Sequence, residues 1–272
     1  MSQPIVAAIQ MTSAADVARN LATARRLLQE AREGGACLAV LPENFSFMGR
    51  SEAERRAIVE ADGDGIVQKT IAAAARELGL WIVAGTQPIA VPGESRPANA
   101  CVVYDADGGR AARYDKIHLF DVDLPSGREA YRESTNAIPG AKAVTVDTPA
   151  GRVGLSVCYD MRFPELYRRL VSEGAEIFSV PSAFTAPTGR AHWEVLLRAR
   201  AIEDTSFVIA AAQSGFHDND RETYGDSLVI DYWGRVLARL PRGTGVVLAA
   251  LDRERQAATR ANFPALKHRV IG

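Results

Sequence analysis

An α/β fold with sheets of mixed strand direction is predicted for this 272-residue sequence, and three features predict it. Short apolar runs alternate with helical patterns, as in β-α-β units. Pairs of strand-like runs are joined by glycine-bearing turns, which adds antiparallel hairpins. The helical patterns carry one apolar and one charged face, so each helix covers a sheet on one side only.

Taken in order, Pro4–Met11 is an apolar run that reads as a buried strand. Ala15–Glu33 reads as a helix, because Val17, Leu21, Ala24, Leu28 and Ala31 recur four and three residues apart and Gly34-Gly35 closes the run. Cys37–Leu41 is a second buried strand, stopped by Pro42. A polar, loop-like stretch follows to Gly65, then a helix over Val67–Leu78 and a strand over Leu80–Gln87. Ala100–Ala106 and Ala111–Asp115 flank Asp107-Gly108-Gly109 as a hairpin, and Val144–Thr148 and Val153–Val157 flank Pro149-Ala150-Gly151 in the same way. Pro164–Glu173 fits a helix, with proline early and Gly174 just after. A strand over Glu176–Val180, a helix over His192–Asp204 and a strand over Phe207–Ala212 come next. Ser227–Asp231 and Val236–Leu240 flank Tyr232-Trp233-Gly234-Arg235, and Val246–Leu251 closes the core. No linker, repeat or low-complexity tract divides the chain, so residues 1–272 are expected to form one domain.

The composition is 47% hydrophobic and 24% charged, enough to bury a substantial core. A net charge of −1 gives no global reason to expect nucleic acid or an anionic membrane as partner. No apolar stretch reaches the length of a membrane span, and the N-terminus has no signal-peptide pattern. Cys37, Cys101 and Cys158 include no CxxC pair and are odd in number, so the default compartment is a reducing cytoplasm. No metal or organic cofactor is expected, because no pair of His118, His192, His217 and His268 has metal-ligand spacing and Asp62–Gly65 lacks the residues of a phosphate loop. Phe263, Pro264, Leu266 and Ile271 put apolar side chains in the stretch Ala261–Gly272, which suggests docking onto the body or onto a neighbouring subunit.

Three segments place a reactive side chain just where a strand runs out. LAVLPENF presents Glu43 directly after Pro42; taken alone, this is a solvated loop carboxylate. RYDKIHLFD sets Lys116 among Tyr114, Ile117, Leu119 and Phe120; taken alone, this is a snorkelling lysine. RVGLSVCYDMR delivers Cys158 to a strand-to-helix junction, which exposes a nucleophile, leaves nearby N–H groups unpaired and adds positive potential. The polar neighbours Asp160 and Arg162 argue against a purely apolar setting, whereas Cys37 and Cys101 sit inside strand patterns and read as core. His118 lies two residues from Lys116, which leaves a Cys–His peptidase open.

Together these segments resemble the nitrilase superfamily of carbon–nitrogen hydrolases. The motifs LPENF, YDKIHLFD and GLSVCYDMRFPELYR stand in the family's order, and RESTNAIPG, PSAFTAPTGRAHWEVLLRARAIED and YGDSLVIDYWGRVLA agree too, over nearly the whole chain. The AHWEVLLRARAIE and AAQSGFH segments look most like the deaminated glutathione amidases, with the omega-amidases of 2-oxo acid amides next. The resemblance implies a four-layer α-β-β-α sandwich that commonly dimerises. It implies a catalytic triad at Glu43, Lys116 and Cys158, with Glu133 as the second glutamate beside it. Arg162 and Thr188 fall in segments that line the pocket, as candidates for gripping a substrate carboxylate or its adjoining amide.

The reaction expected is hydrolysis of a small-molecule carboxamide through a thioester, with release of ammonia. Cys158 attacks, Glu43 takes and returns the proton, and Lys116 with the backbone N–H of Tyr159 stabilises the oxyanion. A nitrilase or an N-carbamoyl hydrolase would use the same triad. A non-catalytic interaction protein is a further alternative.

Overall fold

The structure, a computed structural model, describes residues 3–124 and 130–271. Residues 125–129 lie outside the described residues. Strand β1 (Ile5–Gln10) runs into α1 (Val17–Glu33), whose first turn is capped by Asp16 accepting from the Arg19 N–H. Strand β2 (Ala36–Val40) follows, then α2 (Glu52–Ala57), α3 (Ile66–Leu78), β3 (Trp81–Val83) and β4 (Gln87–Ile89). Strands β5 (Ala98–Tyr104) and β6 (Arg110–Asp115) pair antiparallel across the Asp107-Gly108-Gly109 turn. A short pair, β7 (Asp121–Asp123) and β8 (Ala130–Arg132), leads to the hairpin β9 (Thr145–Thr148) and β10 (Gly151–Leu155). Helix α4 (Pro164–Ser172), β11 (Ile177–Ser179), α5 (Ala186–Asp204) and β12 (Phe207–Ala210) come next. Then come the pair β13 (Ser214–Phe216) and β14 (Glu222–Tyr224), the hairpin β15 (Ser227–Ile230) and β16 (Val236–Leu240), strand β17 (Gly245–Ala250) and helix α6 (Arg253–Asn262).

Two large mixed sheets result. One has the order β17-β1-β2-β3-β5-β4 with β6 added on β5, and the other β16-β15-β12-β11-β10-β9. Period-two alternation divides the first sheet between two cores. Ala7, Ile9, Ala39 and Leu41 pack under α1 and α3, against Leu27, Leu28, Ile71 and Ala75. Val6, Ala8, Leu38 and Val40 face the second sheet and meet Val153, Leu155, Ile177 and Val208. That cluster continues through the second sheet to Leu170 of α4 and to Trp193 and Leu197 of α5. The order helix, sheet, sheet, helix is the α-β-β-α sandwich that the sequence implied. Leu28 of α1 is fully buried against its sheet, and trimming it to alanine would cost about 2–5 kcal/mol.

Several elements differ from expectation. The polar stretch before Gly65 contains α2, which Ser51 caps by accepting from the Glu54 N–H. The single strand expected over 80–87 is two strands, because the chain turns at Gly85. Gly85 has φ 45°, and a Cβ there would lie 2.0 Å from the Pro42 carbonyl oxygen, so glycine lets the segment bearing Glu43 approach. Helix α5 starts at Ala186, well before His192. Thr185 caps it and Pro187 stands in its first turn, where the missing N–H costs nothing. Gly189 then clears Tyr224, whose Cβ would sit 2.2 Å from an added Cβ. His192 is therefore in the second turn, not at the helix start. The C-terminal stretch docks only in part. The turn Ala265–Lys267 approaches α5 and Leu266 is half-buried, but Val270 and Ile271 are exposed, and exposed Phe263 meets exposed Trp233 edge-on.

Candidate active site

Glu43, Lys116 and Cys158 each stand just beyond the end of a strand. Leu41 extends β2 by donating its N–H to the Val83 carbonyl at 2.9 Å, and two residues later Glu43 is 5% exposed. Gln213 donates from Nε2 to the Glu43 carbonyl at 3.0 Å, and Asn44, at φ 55°, donates its N–H to Thr86 Oγ1 at 3.0 Å. These bonds fix the backbone on both sides of the carboxylate. Lys116 follows β6, donates its N–H to the Asn99 carbonyl at 3.0 Å and is 1% exposed.

The Lys116 ammonium is held from two directions. It donates to Glu43 Oε1 at 2.8 Å and to Glu133 at 2.8 and 3.1 Å. Glu133 opens a 3₁₀ turn, Glu133–Thr135, and accepts further from the Phe120 N–H at 2.7 Å and from Asn99 Nδ2. Asn99 is gripped in turn by Arg55, which also reaches Asn44 Oδ1 at 3.3 Å. A buried ion set of this kind persists only when its remaining lone pairs and protons are satisfied.

Cys158 opens the 3₁₀ turn Cys158–Arg162 with φ 48°, a left-handed conformation costing on the order of 1–3 kcal/mol for a non-glycine residue. Its N–H donates to the Pro181 carbonyl at 2.8 Å. Its thiol stands close enough to the Glu43 carboxylate and the Ala183 N–H for both to act on its proton. Asp160, fully buried, ties this elbow to the Lys116 segment. It accepts from Tyr114 Oη at 2.6 Å, from the His118 N–H at 3.0 Å and from the Val157 N–H at 2.8 Å, and lies 2.7 Å from His118 Nδ1.

The electrostatics follow from this arrangement. Burial pushes the Glu43 carboxyl up, but the Lys116 charge and the hydrogen bonds from Lys116 and Cys158 outweigh it and leave it below its ordinary 4.5. Burial pushes the Cys158 thiol far up, and the Glu43 charge adds to that; Lys116 and the Ala183 N–H offset only part. Burial alone would discharge Lys116, but Glu133, Glu43 and Cys158 raise it above its ordinary 10.5. At neutral pH the resting site is thus a thiol, a carboxylate and an ammonium.

A cavity of about 200 Å³ opens above this set. Glu43, Lys116, Glu133 and Cys158 line it, together with the rings of Phe120, Tyr131, Tyr159 and Phe184. Arg162, Thr188 and Tyr159 all reach it, so every site residue inferred from the sequence is brought together. Arg162 lies over the Phe184 ring at 5.4 Å and the Tyr159 ring at 5.8 Å, with its guanidinium 3.3 Å from His192 Nδ1. His118 is not among the lining residues. It stacks on Phe163 at 3.7 Å and is engaged by Asp160, which removes the basis for a Cys–His pair. Cys101 is fully buried, and Cys37 is half-buried with its thiol donating to the Ile5 carbonyl. Among the described residues no group of three or more His, Cys, Asp or Glu side chains is arranged to hold a metal ion.

Sequence reasoning missed Arg55, Asn99, Gln213 and Arg221. None carries a local signal, and the role of each comes from contacts far along the chain.

The sequence pattern of the carbon–nitrogen hydrolase family matches residues 5–261. The chain belongs to that family. This carbon–nitrogen hydrolase is 44% identical to the deaminated glutathione amidase of Bos taurus, over 98% of this chain and 82% of the relative. The crystal structure of the Caenorhabditis elegans NitFhit protein superposes with a TM-score of 0.91 at 37% identity, over 99% of this chain and 66% of that one. That of Saccharomyces cerevisiae Nit3, a member of branch 10 of the nitrilase superfamily, superposes with a TM-score of 0.88 at 28% identity, over 99% of this chain and 97% of that one. Among the described residues, no helix is long and apolar enough to cross a membrane.

Proposed function

We propose that this carbon–nitrogen hydrolase is an amidase acting on the amide of a small carboxylic acid, with deaminated glutathione as the leading substrate. The observation that carries the chemistry is the Cys158 thiol sharing one cavity floor with a Glu43 carboxylate that pairs with buried Lys116. The named activity of the 44%-identical relative supports the substrate.

The resting thiol does not ionise on its own, so the proton moves as the bond forms. Cys158 Sγ attacks the amide carbon while Glu43 takes the thiol proton. The carbonyl oxygen becomes an oxyanion beside Lys116 Nζ and the Tyr159 N–H, which lies in the first turn of the 3₁₀ segment. Each such donor lowers the barrier by about 3–4 kcal/mol. Glu43 then protonates the leaving nitrogen, the C–N bond breaks, and a thioester remains. A water enters, gives its proton to Glu43 and attacks the thioester; the acid departs and the proton returns to sulfur. Glu133 holds Lys116 in place throughout, and Arg162 and Thr188 grip the substrate carboxylate.

The leaving group depends on the substrate. Both amide bonds of deaminated glutathione are secondary, so its cleavage frees an amine, whereas 2-oxoglutaramate would give ammonia. Cytoplasmic residence, a single domain over residues 1–272 and a homodimer belong to the same reading. They rest on the cysteine pattern, the absence of a dividing linker and the family resemblance.

The test is turnover of deaminated glutathione, 2-oxoglutaramate and a nitrile panel, read as substrate loss with new amine or ammonia, and with Cys158→Ala as the blank. Hydrolysis of an amide by the intact enzyme alone is the expected result. Turnover of nitriles only would overturn the amidase reading.

A further inference from the structure

Among the described residues that line the cavity, five are cations (Arg55, Lys116, Arg132, Arg162 and Arg221) and two are anions (Glu43 and Glu133). Lys116 takes up both carboxylates. Arg132 is satisfied outside, by Asp123 at 2.8 Å. Arg55 spends its two terminal nitrogens on Asn44 and Asn99. Arg162 and Arg221 have no carboxylate partner among the described residues.

Arg221 stands just before β14 and reaches over the site. One terminal nitrogen donates to the Ala183 carbonyl, and the guanidinium lies 5.1 Å from the centre of the Tyr131 ring. Its Nε is buried with no hydrogen-bond partner, and Arg221 is close enough for its charge to act on Glu43. A buried guanidinium N–H without a partner is costly, and a ligand oxygen would relieve it; Arg55 Nε shares the feature, but both terminal nitrogens of Arg55 are already engaged. The two arginines that lack a carboxylate partner meet the same two-residue step. Arg162 covers the Phe184 ring, Arg221 binds the Ala183 carbonyl, and the Ala183 N–H stands close to the Cys158 thiol. Both guanidiniums therefore stand within a small substrate's length of the nucleophile.

We propose that Arg221 is a second anion anchor, so that the cavity selects amides carrying two anionic groups, one on the acyl side for Arg162 and one on the leaving-amine side for Arg221. The inference rests on the amidase reading for the fate of the ligand but not for its binding. A planar guanidinium presents paired donors to a carboxylate, which suits each anchor to one carboxylate end. Deaminated glutathione has two carboxylates, and 2-oxoglutaramate has one.

Binding is measured by calorimetry on the Cys158→Ala enzyme. The probes are deaminated glutathione and the same molecule with its glycine carboxylate capped as an N-methylamide. The second carboxylate is expected to tighten binding about ten- to a hundredfold, the span of a charged hydrogen bond. Arg221→Gln, which keeps a donor for Ala183, should abolish that gain and leave the Kd of the capped probe unchanged. Arg221→Lys, which keeps the charge, should restore part of it. Equal affinity for both probes, no binding of either, or an equal loss for both in Arg221→Gln would overturn the anchor. Failure of the amidase reading shows elsewhere, as intact enzyme that binds the dicarboxylate but does not hydrolyse it.

Discussion

The floor and the wall of the cavity are built on opposite terms. On the floor, Glu43, Lys116 and Glu133 satisfy one another, and further hydrogen bonds anchor each of them. On the wall, Arg162 and Arg221 come from a 3₁₀ turn and a short hairpin, lean on aromatic rings and lack carboxylate partners among the described residues. The contrast separates two jobs. Under the proposed mechanism, the groups that act at the reacting bond are held in place before substrate arrives, whereas the groups that would hold substrate are left wanting a partner.

Substitutions can break this division, and the floor should give the largest effects. Cys158→Ala should lower kcat by at least about 10⁴-fold, since neither Cys37 nor Cys101 reaches the cavity; single-turnover kinetics checks it. Lys116→Met should abolish turnover and also lower stability by about 3–5 kcal/mol, because it leaves the buried Glu43 and the half-buried Glu133 without their counter-charge. Denaturant melts would reveal that loss; a variant as stable as wild type would mean that the ion set is not held as described. Glu43→Gln should cost kcat about 10²–10⁴-fold and leave the Lys116–Glu133 pair intact.

The wall should respond in binding. Arg162→Gln is expected to raise KM for a carboxylate-bearing amide about tenfold or more, with a melting temperature close to wild type. A matching fall in kcat at constant KM would instead place Arg162 on the floor's side of the comparison. The smallest effect is in pH. Glu43 is held below its ordinary 4.5 in the folded protein, so its stabilising contribution is complete above that value and is lost as pH falls through the folded pKa. The proposed mechanism needs the same carboxylate ionised, so kcat/KM should stay flat from neutral pH down to about 4.5 and fall only below it. A Glu43→Gln enzyme should lack the corresponding acid limb in its stability profile.

The floor was also the more legible region in the sequence. Glu43, Lys116 and Cys158 follow strands whose apolar runs announce themselves, so their placement at strand ends could be read locally. The same held for α1 and for the hairpins with glycine turns. What escaped was polar and long-range. Helix α6 buries only Gln256, and β13 and β14 flank the run HDNDR, so neither shows an apolar period. The start of α5 was hidden by Pro187 and Gly189, which look like helix breakers until Thr185 and Tyr224 are seen beside them. Arg221 carries no local signal, because its partners Ala183 and Tyr131 are distant in sequence.

One pairing has a consequence for how the molecule is made. Strand β1 lies between β2 and β17, and its partners Ile5 and Ala250 are far apart in the sequence. While the chain is being synthesised, the sheet that leads to Glu43 and Lys116 keeps a bare edge along β1 until β17 has left the ribosome. Such distant pairing is slow to form and leaves an adhesive edge exposed in the meantime. A chain stopped before Gly245 is therefore expected to bind chaperones or aggregate, with Cys158 already present but its sheet unfinished.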